Sequence, residues 1–278
     1  MDPLTFKIEP GSTIDLREYD PRYNPGIERE QAETGLAQLA LEIDELQELL
    51  FGAARHSLLV IMQGMDTSGK DGTVRKVFSQ ISPLGSYVHG FGVPTPEELS
   101  HDFLWRVHKV APAKGKIGIF NRSHYEDVLV VRVHNLVPPE VWGERYAMIN
   151  NFEHLLAANN TIILKFFLHI SKEEQEERLL KREEETEKAW KLSSGDWRER
   201  TYWDEYMAAY EDVLTKCSTS HAPWHLVPAD RKWYRNYAVA HVVADTLRGY
   251  RDQWMEKLRV MGAEAKADLA AFRQEKGG

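Results

Sequence analysis

The chain has 278 residues, which is enough to bury a sizeable core in one large domain. Its composition, 42% hydrophobic and 28% charged, is ordinary for a soluble globular protein, and a net charge of −8 argues against a broad cationic face for nucleic acid or membrane. A single cysteine, Cys217, excludes an intramolecular disulfide and a zinc site built from several cysteines.

These features also favour a cytoplasmic protein. One cysteine fits a reducing compartment, and residues 1–4 lack the charged and apolar regions of a signal peptide. The apolar runs are shorter than the roughly 20 residues that a membrane-spanning helix needs. Neither nucleic acid nor a membrane is therefore expected as a partner.

The first half of the chain predicts an arm, a long helix and three strands. Prolines are spread over residues 1–27, which are typical of an extended arm. Apolar spacing over residues 28–51 predicts an amphipathic helix. Short apolar runs predict strands at residues 57–62, 86–93 and 117–120, with helices that end near residue 80 and span residues 97–110.

The second half continues the alternation. We expect helices at residues 138–158, 172–191, 196–216 and 234–259, strands at residues 161–168 and 224–227, and a frayed tail at residues 261–278. Strands that alternate with helices predict an α/β fold with a parallel sheet of five strands covered on both faces. We interpret residues 28–260 as one domain with a helical insertion at residues 172–215.

Residues 64–72 have the spacing of a Walker A phosphate-binding loop. Gly64 and Gly69 bracket four residues, and Lys70 follows. The predicted strand before the loop and the helix after it make the match meaningful, although a glycine-rich turn without a ligand is the alternative. Backbone N–H groups of such a loop and the helix N-terminus attract anions, and Lys70 can reach the outer phosphates. The remaining loop residues expected to contact phosphate or nucleotide are Met65, Thr67, Ser68 and Gly72.

Two carboxylates distinguish this loop from an ordinary Walker A loop. Asp66 lies within it, and Asp71 takes the place of the serine or threonine that usually follows the lysine. Two acids would repel phosphate unless a divalent cation lay between them, although Asp71 could instead favour the helix start. We therefore predict a Mg²⁺ site, at which Mn²⁺ could substitute, and a phosphoryl group that is transferred.

A second polar group follows the strand at residues 117–120. Asn121 ends the strand, and Arg122 lies four residues before Glu126, so that the two share a face on a helix. Ligands bind α/β sheets at the carboxyl ends of strands, so we predict that Arg122 and Asp127 point at the phosphates and the metal. Asn121 and Glu126 are expected to contact phosphate or nucleotide as well. A surface ion pair between Arg122 and Glu126 is the simpler alternative.

The charged segment at residues 172–191 could form a mobile helix that closes over the phosphates and neutralises transition-state charge. From composition alone, a solvated helix held by Glu–Lys pairs is the better interpretation. The basic residues in question are Lys172, Arg178, Lys181, Arg182, Lys188 and Lys191.

Three motifs together resemble those of the family 2 polyphosphate kinases. They are GMDTSGKDG at residues 64–72, NRSHYEDVLV at residues 121–130 and KAWKLS at residues 188–193. The motifs occur in the family's order and with similar spacing, and the resemblance covers about residues 30–255. It implies a thymidylate-kinase-like P-loop fold with a helical lid. It also implies reversible, Mg²⁺-dependent phosphoryl transfer between inorganic polyphosphate and the nucleotides AMP, ADP and ATP.

Carried over by position, the resemblance assigns a role to each motif. Asp66 and Asp127 would hold the metal and orient the acceptor phosphate, Lys70 and Arg122 would bind phosphates, and Asp71 would support the metal or Lys70. The resemblance reverses the interpretation of the charged segment. Its lid motif places five basic residues along the polyphosphate path: Arg178, Lys181, Arg182, Lys188 and Lys191.

The subclass depends on the second motif. Asn121 with Glu126 and Asp127 is similar to the members that phosphorylate AMP, or both AMP and ADP, and we favour the dual type. We also expect a homo-oligomer, for which the long helices near both ends of the chain could supply the contacts.

Two other functions are compatible with the residues. One is an ATP-dependent kinase of nucleoside monophosphates or other small molecules that uses the same loop and lid. The other is a nucleotide-binding switch without catalysis, which would be expected to carry the guanine-reading sequence Asn-Lys-x-Asp; no such sequence occurs in the chain.

Overall fold

The computed structural model describes residues 2–184 and 194–276. Lys188 and Lys191, which are predicted to contact polyphosphate, lie outside the described residues. None of the described helices combines the length and the apolar character that crossing a bilayer would require.

One sheet runs through the described part of the chain. Its strands are β1 (Phe6–Lys7), β2 (Ser57–Gln63), β3 (Ser86–Gly90), β4 (Ile117–Asn121), β5 (Thr161–His169) and β6 (Trp224–Pro228). They lie in the order β1-β6-β5-β2-β4-β3; β1 is antiparallel to β6, and all other neighbours are parallel.

The α/β prediction is confirmed, but the count of five strands is wrong, since the sheet has six strands in the described residues. The additional strand comes from the predicted arm, where Phe6 pairs with Leu226 and Lys7 with His225. A strand of two residues is too short to show the alternating pattern on which a sequence prediction depends.

Helices connect the strands and continue to the end of the described chain. They are α1 (Arg29–Ala53), α2 (Lys70–Val77), α3 (Pro96–Leu99), α4 (Trp105–His108), α5 (Val130–Val133), α6 (Pro139–Ala158), α7 (Lys172–Glu184), α8 (Ser194–Thr201), α9 (Trp203–Lys216), α10 (Lys232–Arg248) and α11 (Arg251–Lys276). Short 3-10 helices occur at Leu16–Glu18 and His124–Asp127.

Several predicted helices differ from the observed ones. The prediction for residues 97–110 is wrong, because this segment forms only the single turns α3 and α4. The expected terminal helix is divided into α10 and α11. Residues 261–276 continue α11 instead of fraying, consistent with the high helix propensity of their alanine, glutamate and lysine residues.

Apolar side chains fill the space on both faces of the sheet. Every residue of β2 and β5 is buried. Because successive side chains of a strand point to opposite faces, Leu58 and Val60 join the cluster formed with α1 and α10, whereas Leu59 and Ile61 join the cluster formed with α6 and α9. The predicted covering of both faces by helices is therefore confirmed.

β2 lies at the centre of the sheet, between β4 and β5. Met62 of β2 pairs with Asn121 of β4 and with Phe166 of β5. The loop after β2 and the polar residues after β4 therefore emerge side by side at the carboxyl edge, where α/β sheets bind their ligands.

Candidate active site

The loop between β2 and α2 folds around the side chain of Lys70. The Nζ atom of Lys70 donates hydrogen bonds to the carbonyl oxygens of Gly64 at 2.7 Å and Met65 at 3.2 Å. Burial lowers the pKa of Lys70, although Asp66 nearby acts in the opposite direction. Lys70 is thus held across the loop, and it also lines the cavity described below.

Both predicted loop glycines are required by the backbone. Gly64 has a φ of +148° and Gly69 a φ of +103°, in the region that residues with a side chain rarely adopt. A Cβ atom on Gly64 would lie 2.8 Å from the carbonyl oxygen of Leu168, and one on Gly69 would lie 1.8 Å from Nη1 of Arg235. Any side chain at either position would therefore deform the loop.

The motif after β4 contacts this loop directly. Arg122 adopts a positive φ of 63°, and its Nη2 atom donates to Oδ1 of Asp66 at 2.6 Å. Its Nη1 atom lies 3.8 Å from Oε2 of Glu126. Asn121 donates from Nδ2 to Oδ1 of Asp71. The structure thus brings together two motifs that are about 50 residues apart in the chain.

Glu126 and Asp127 occupy different surroundings. Burial raises the pKa of Glu126, while the charges of Arg122 and Lys70 oppose that rise. Burial likewise raises the pKa of Asp127, against the charges of Arg145 and Arg106. Neither acid is among the residues that line the cavity.

Two arginines hold the side chain of Asp127. Nη1 of Arg145 donates to Oδ1 at 3.1 Å, and Nη2 of Arg106 lies 3.6 Å from Oδ2. Arg122 holds Asp66 instead. The predicted metal pair, Asp66 and Asp127, is therefore divided between different arginines, and only Asp66 lines the cavity.

A cavity of about 710 Å³ opens at the carboxyl edge of the sheet. Basic side chains outnumber acidic ones in its wall, although the chain as a whole has a net charge of −8. Such a local excess of positive charge attracts a polyanion. The acidic residues in the wall are Asp66, Asp71 and Asp196, and the basic ones are Lys70, Arg75, Arg122, Arg178, Lys181, Arg182, Lys232 and Arg235.

The other predicted contacts divide into two groups. Thr67, Gly69, Gly72 and Asn121 line the cavity. Gly64, Met65 and Ser68 are not in its wall; the first two contribute the carbonyl groups that bind Lys70, and Ser68 is fully buried.

The predicted lid cations also have different surroundings. Lys181 and Arg182 line the cavity, and Nη1 of Arg182 lies 3.0 Å from Oδ2 of Asp196 on α8. Arg178 lines the cavity too, but its guanidinium is bound to backbone carbonyl groups. Lys172 does not line the cavity.

Sequence reasoning missed several residues of the cavity wall. For Lys232 and Arg235, a signal was present, because both lie in the first turn of α10, the helix that follows β6, and so near the ligand-binding edge. Asp196 carried no such signal, since only folding brings α8 to the cavity. The missed residues are Arg75, Gly90, Phe91, Asp196, Lys232 and Arg235.

Among residues 2–184 and 194–276, no group of three or more His, Cys, Asp or Glu side chains is arranged to hold a metal ion. Of the three carboxylates in the cavity wall, Asp66 and Asp71 are each bound by a side chain of the second motif, and Asp196 is paired with Arg182.

The fold and the site together define a class: an α/β protein with a cation-rich cavity, suited to a polyanionic phosphate, at the carboxyl edge of its sheet. Comparison with known protein families shows to which family within this class the chain belongs. The family described as Polyphosphate kinase 2 matches residues 26–254. The chain belongs to this family, which confirms the resemblance seen in its motifs and the predicted phosphoryl transfer between polyphosphate and nucleotides.

Individual relatives agree with the family assignment. The AMP/ADP-polyphosphate phosphotransferase of Meiothermus ruber is 48% identical over 90% of this chain and 94% of its own length. The ADP-polyphosphate phosphotransferase of Rhodopseudomonas palustris is 42% identical over 90% of this chain and 91% of its own length. The crystal structure of polyphosphate kinase 2 from Arthrobacter aurescens TC1 superposes with a TM-score of 0.85 at 44% identity and covers 88% of each chain.

Proposed function

We propose that the protein transfers phosphoryl groups reversibly between inorganic polyphosphate and adenine nucleotides, converting AMP to ADP and ADP to ATP. The cation-rich cavity around the loop of Lys70, in a chain of net negative charge, is the observation that carries the proposal. Glu126 and Asp127 in the second motif support action on both nucleotides, as does 48% identity to a relative named for both AMP and ADP.

The reaction is proposed to depend on Mg²⁺. Mg²⁺ in proteins commonly uses one or two carboxylates, with phosphate oxygens and water as its other ligands, so a cage of three side chains is not needed. Asp66 and Asp71 fit this pattern because both line the cavity. Arg122 binds one oxygen of Asp66, and the other oxygen would be the one to hold the metal. When bound, the ion would neutralise charge on the phosphate oxygens.

The residues of the chain would align and neutralise the two anionic substrates. Phosphoryl transfer requires positioning and charge stabilisation more than covalent help from the protein. Lys70 and Arg122 would bind phosphate at the carboxyl edge of the sheet. Lys181 and Arg182, on α7 at the cavity wall, would neutralise the polymer.

We also propose how the chain is divided into a domain and a lid. Residues 28–260 would form the kinase domain of the P-loop type, with residues 172–215 as its helical lid. A homo-oligomeric assembly stays a prediction.

The test is a product assay with polyphosphate as the only phosphoryl donor, run separately on AMP and on ADP with and without Mg²⁺. We expect ADP from the first reaction, ATP from the second and neither when the metal is chelated. The absence of product from both nucleotides would overturn the proposal, and product from ADP alone would remove the dual specificity.

The two alternatives give different results in the same assay. An ATP-dependent kinase would phosphorylate AMP with ATP as donor when polyphosphate is absent. A switch would bind nucleotide without turnover of either donor. Turnover that requires polyphosphate would exclude both.

A further inference from the structure

Two buried arginines lie against the loop of Lys70. Arg178 comes from α7 and is 7% exposed, and Arg235 comes from α10 and is 3% exposed. Their helices are separated along the chain by α8, α9 and β6. Both arginines line the cavity, yet both donate hydrogen bonds to the backbone of the loop, at the carbonyl oxygen of Ser68.

The guanidinium of Arg178 joins two backbone segments. Its Nη1 atom donates to the carbonyl oxygens of Thr67 at 2.9 Å and Ser68 at 3.1 Å. Its Nη2 atom donates to the carbonyl oxygens of Ala229 and Asp230, both at 2.8 Å. Only a planar group with several donors can bind two separate pairs of carbonyl oxygens at once, and a lysine ammonium cannot reproduce this geometry.

Arg235 binds the same loop from another side. Its Nη1 atom donates to the carbonyl oxygen of Ser68 at 2.9 Å, and its Nη2 and Nε atoms donate to Oδ1 of Asn236 at 2.9 and 3.2 Å. Asn236 in turn accepts a hydrogen bond from the hydroxyl of Thr73 on α2. The position of the Arg235 guanidinium is therefore fixed relative to the helix that follows the loop.

These contacts determine the direction of a backbone donor. In a planar trans peptide, the carbonyl group of one residue and the N–H group of the next point in opposite directions. Holding the carbonyl of Ser68 on two guanidinium groups therefore directs the N–H group of Gly69 away from them. Gly69 is also the residue at which a side chain would collide with Arg235.

Positive charge is concentrated behind the loop. Burial and the neighbouring Arg178 lower the pKa of Arg235 to about 9. The carboxylate that faces Arg178 is Glu174, whose Oε1 atom accepts from Nε at 2.7 Å. Lys181 and Lys232 add further positive charge at this wall. A polyanion in the cavity would offset this repulsion.

We propose that Arg178 and Arg235 are positioning residues, which bind the carbonyl groups of Thr67 and Ser68 and so present the N–H group of Gly69 to a bound phosphate. Arg178 is thereby a support of the loop and not a mobile contact to the polymer. That the bound anion is a phosphate rests on the proposed function, whereas the hydrogen bonds from the two arginines to the loop are independent of it.

The test measures the binding of sodium tripolyphosphate by calorimetry, without nucleotide, at a temperature where each variant is folded by circular dichroism. We expect Arg178→Lys and Arg235→Lys to weaken binding by roughly tenfold to a hundredfold, the range seen when groups that orient direct ligands are removed. The matched control is Arg132→Lys, because Arg132 is a partly buried arginine that binds Asp212 and Tyr146 outside the cavity wall.

The outcomes show whether the arginines act by positioning the loop, by their charge or by stabilising the fold in general. Wild-type affinity in both lysine variants would overturn the proposal, because charge alone would then suffice. Equal weakening in Arg132→Lys would also overturn it, since loss of stability would explain the effect. No binding by the wild type would overturn the proposed function, and this inference with it.

A second variant tests the same geometry without changing an arginine. Asn236→Ala removes the oxygen that holds Nη2 and Nε of Arg235 and keeps both positive charges. We expect weaker tripolyphosphate binding from this variant too. Unchanged affinity would contradict the role assigned to Arg235, even if Arg235→Lys did not fold.

Discussion

At the scale of single residues, the two acids predicted to hold the metal have different surroundings. Asp66 lies within the loop at the cavity, bound on one oxygen by Arg122. Asp127 lies between Arg106 and Arg145. A carboxylate placed between a buried and a half-buried guanidinium group can stabilise the fold near the site even when it touches no ligand, because a buried arginine without a counter-charge is costly.

Asp66→Asn and Asp127→Asn should therefore differ in their metal dependence. We expect Asp66→Asn to raise the Mg²⁺ concentration for half-maximal activity by about tenfold or more, as a direct ligand should. Asp127→Asn should leave that concentration unchanged and lower the free energy of unfolding by up to about 3 kcal/mol, because it removes the negative charge that Arg106 and Arg145 share. Mg²⁺ titration of activity and urea unfolding measure the two effects.

A raised Mg²⁺ requirement in Asp127→Asn would contradict this division and restore Asp127 as a metal ligand. The matched control is Asp212→Asn, which removes the partner of Arg132 and Lys216 outside the cavity wall. Its Mg²⁺ dependence should equal that of the wild type.

At the scale of elements, the contact between the N-terminal strand and the rest of the sheet includes a histidine of β6. His225 of β6 pairs with Lys7 of β1, and its Nδ1 atom lies 3.2 Å from the hydroxyl of Thr5. Burial, with Lys7 as a further cause, lowers the pKa of His225 from 6.5 to about 4. Protonation would place a second positive charge beside Lys7 at the edge of the sheet.

Because folding lowers the pKa of His225, the folded protein should lose stability as the pH falls. The unfolded chain binds the proton more readily, so the stability contributed by neutral His225 is present above pH 6.5 and is lost as the pH falls from about 6.5 to about 4. The loss is at most about 3 kcal/mol. We expect His225→Gln to flatten the fall of Tm across this window, measured by thermal unfolding at several pH values.

The exposed His101 provides the control for this experiment. His101→Gln should leave the fall of Tm with pH unchanged. If His225→Gln showed the same pH dependence as the wild type, the loss of stability in acid would have to arise elsewhere.

At the scale of the whole molecule, a buried ion pair joins the sheet to the second motif. Nζ of Lys165 lies 2.6 Å from Oε2 of Glu153 and donates to the hydroxyl of Tyr125 at 2.8 Å; both charged side chains are fully buried. Oε1 of Glu153 accepts from the hydroxyl of Tyr125 at 2.8 Å. Burial would raise the pKa of Glu153, but Lys165 and His124 outweigh it, so that the pKa is lowered. The network thus connects β5, α6 and the 3-10 helix His124–Asp127.

Lys165→Met should be strongly destabilising, by about 3–5 kcal/mol, because it leaves the buried charge of Glu153 without its lysine partner. Lys165→Met combined with Glu153→Gln should recover part of this loss. Urea unfolding of the two single variants and the double variant measures the coupling. Additive effects would show that the two side chains do not depend on each other.

The sequence by itself determined the features that are local in the chain. The glycine spacing of residues 64–72, the apolar runs of the five parallel strands and the second motif each lie within about ten residues, so local sterics and periodicity constrain them. These segments were sufficient to predict the α/β class, the position of the site at the carboxyl edge of the sheet and the family.

Only the tertiary structure decided which distant side chains meet. Lys165 interrupts an apolar strand, but its partner Glu153 is on another element, and Arg235 reaches Ser68 from 167 residues away. The position of Asp127 in the second motif would be the same whether its side chain faced a metal or two arginines, so the sequence could not distinguish the two cases. These pairings depend on how helices and strands pack. A pattern within a short stretch of sequence cannot show which side chains from distant parts of the chain come into contact.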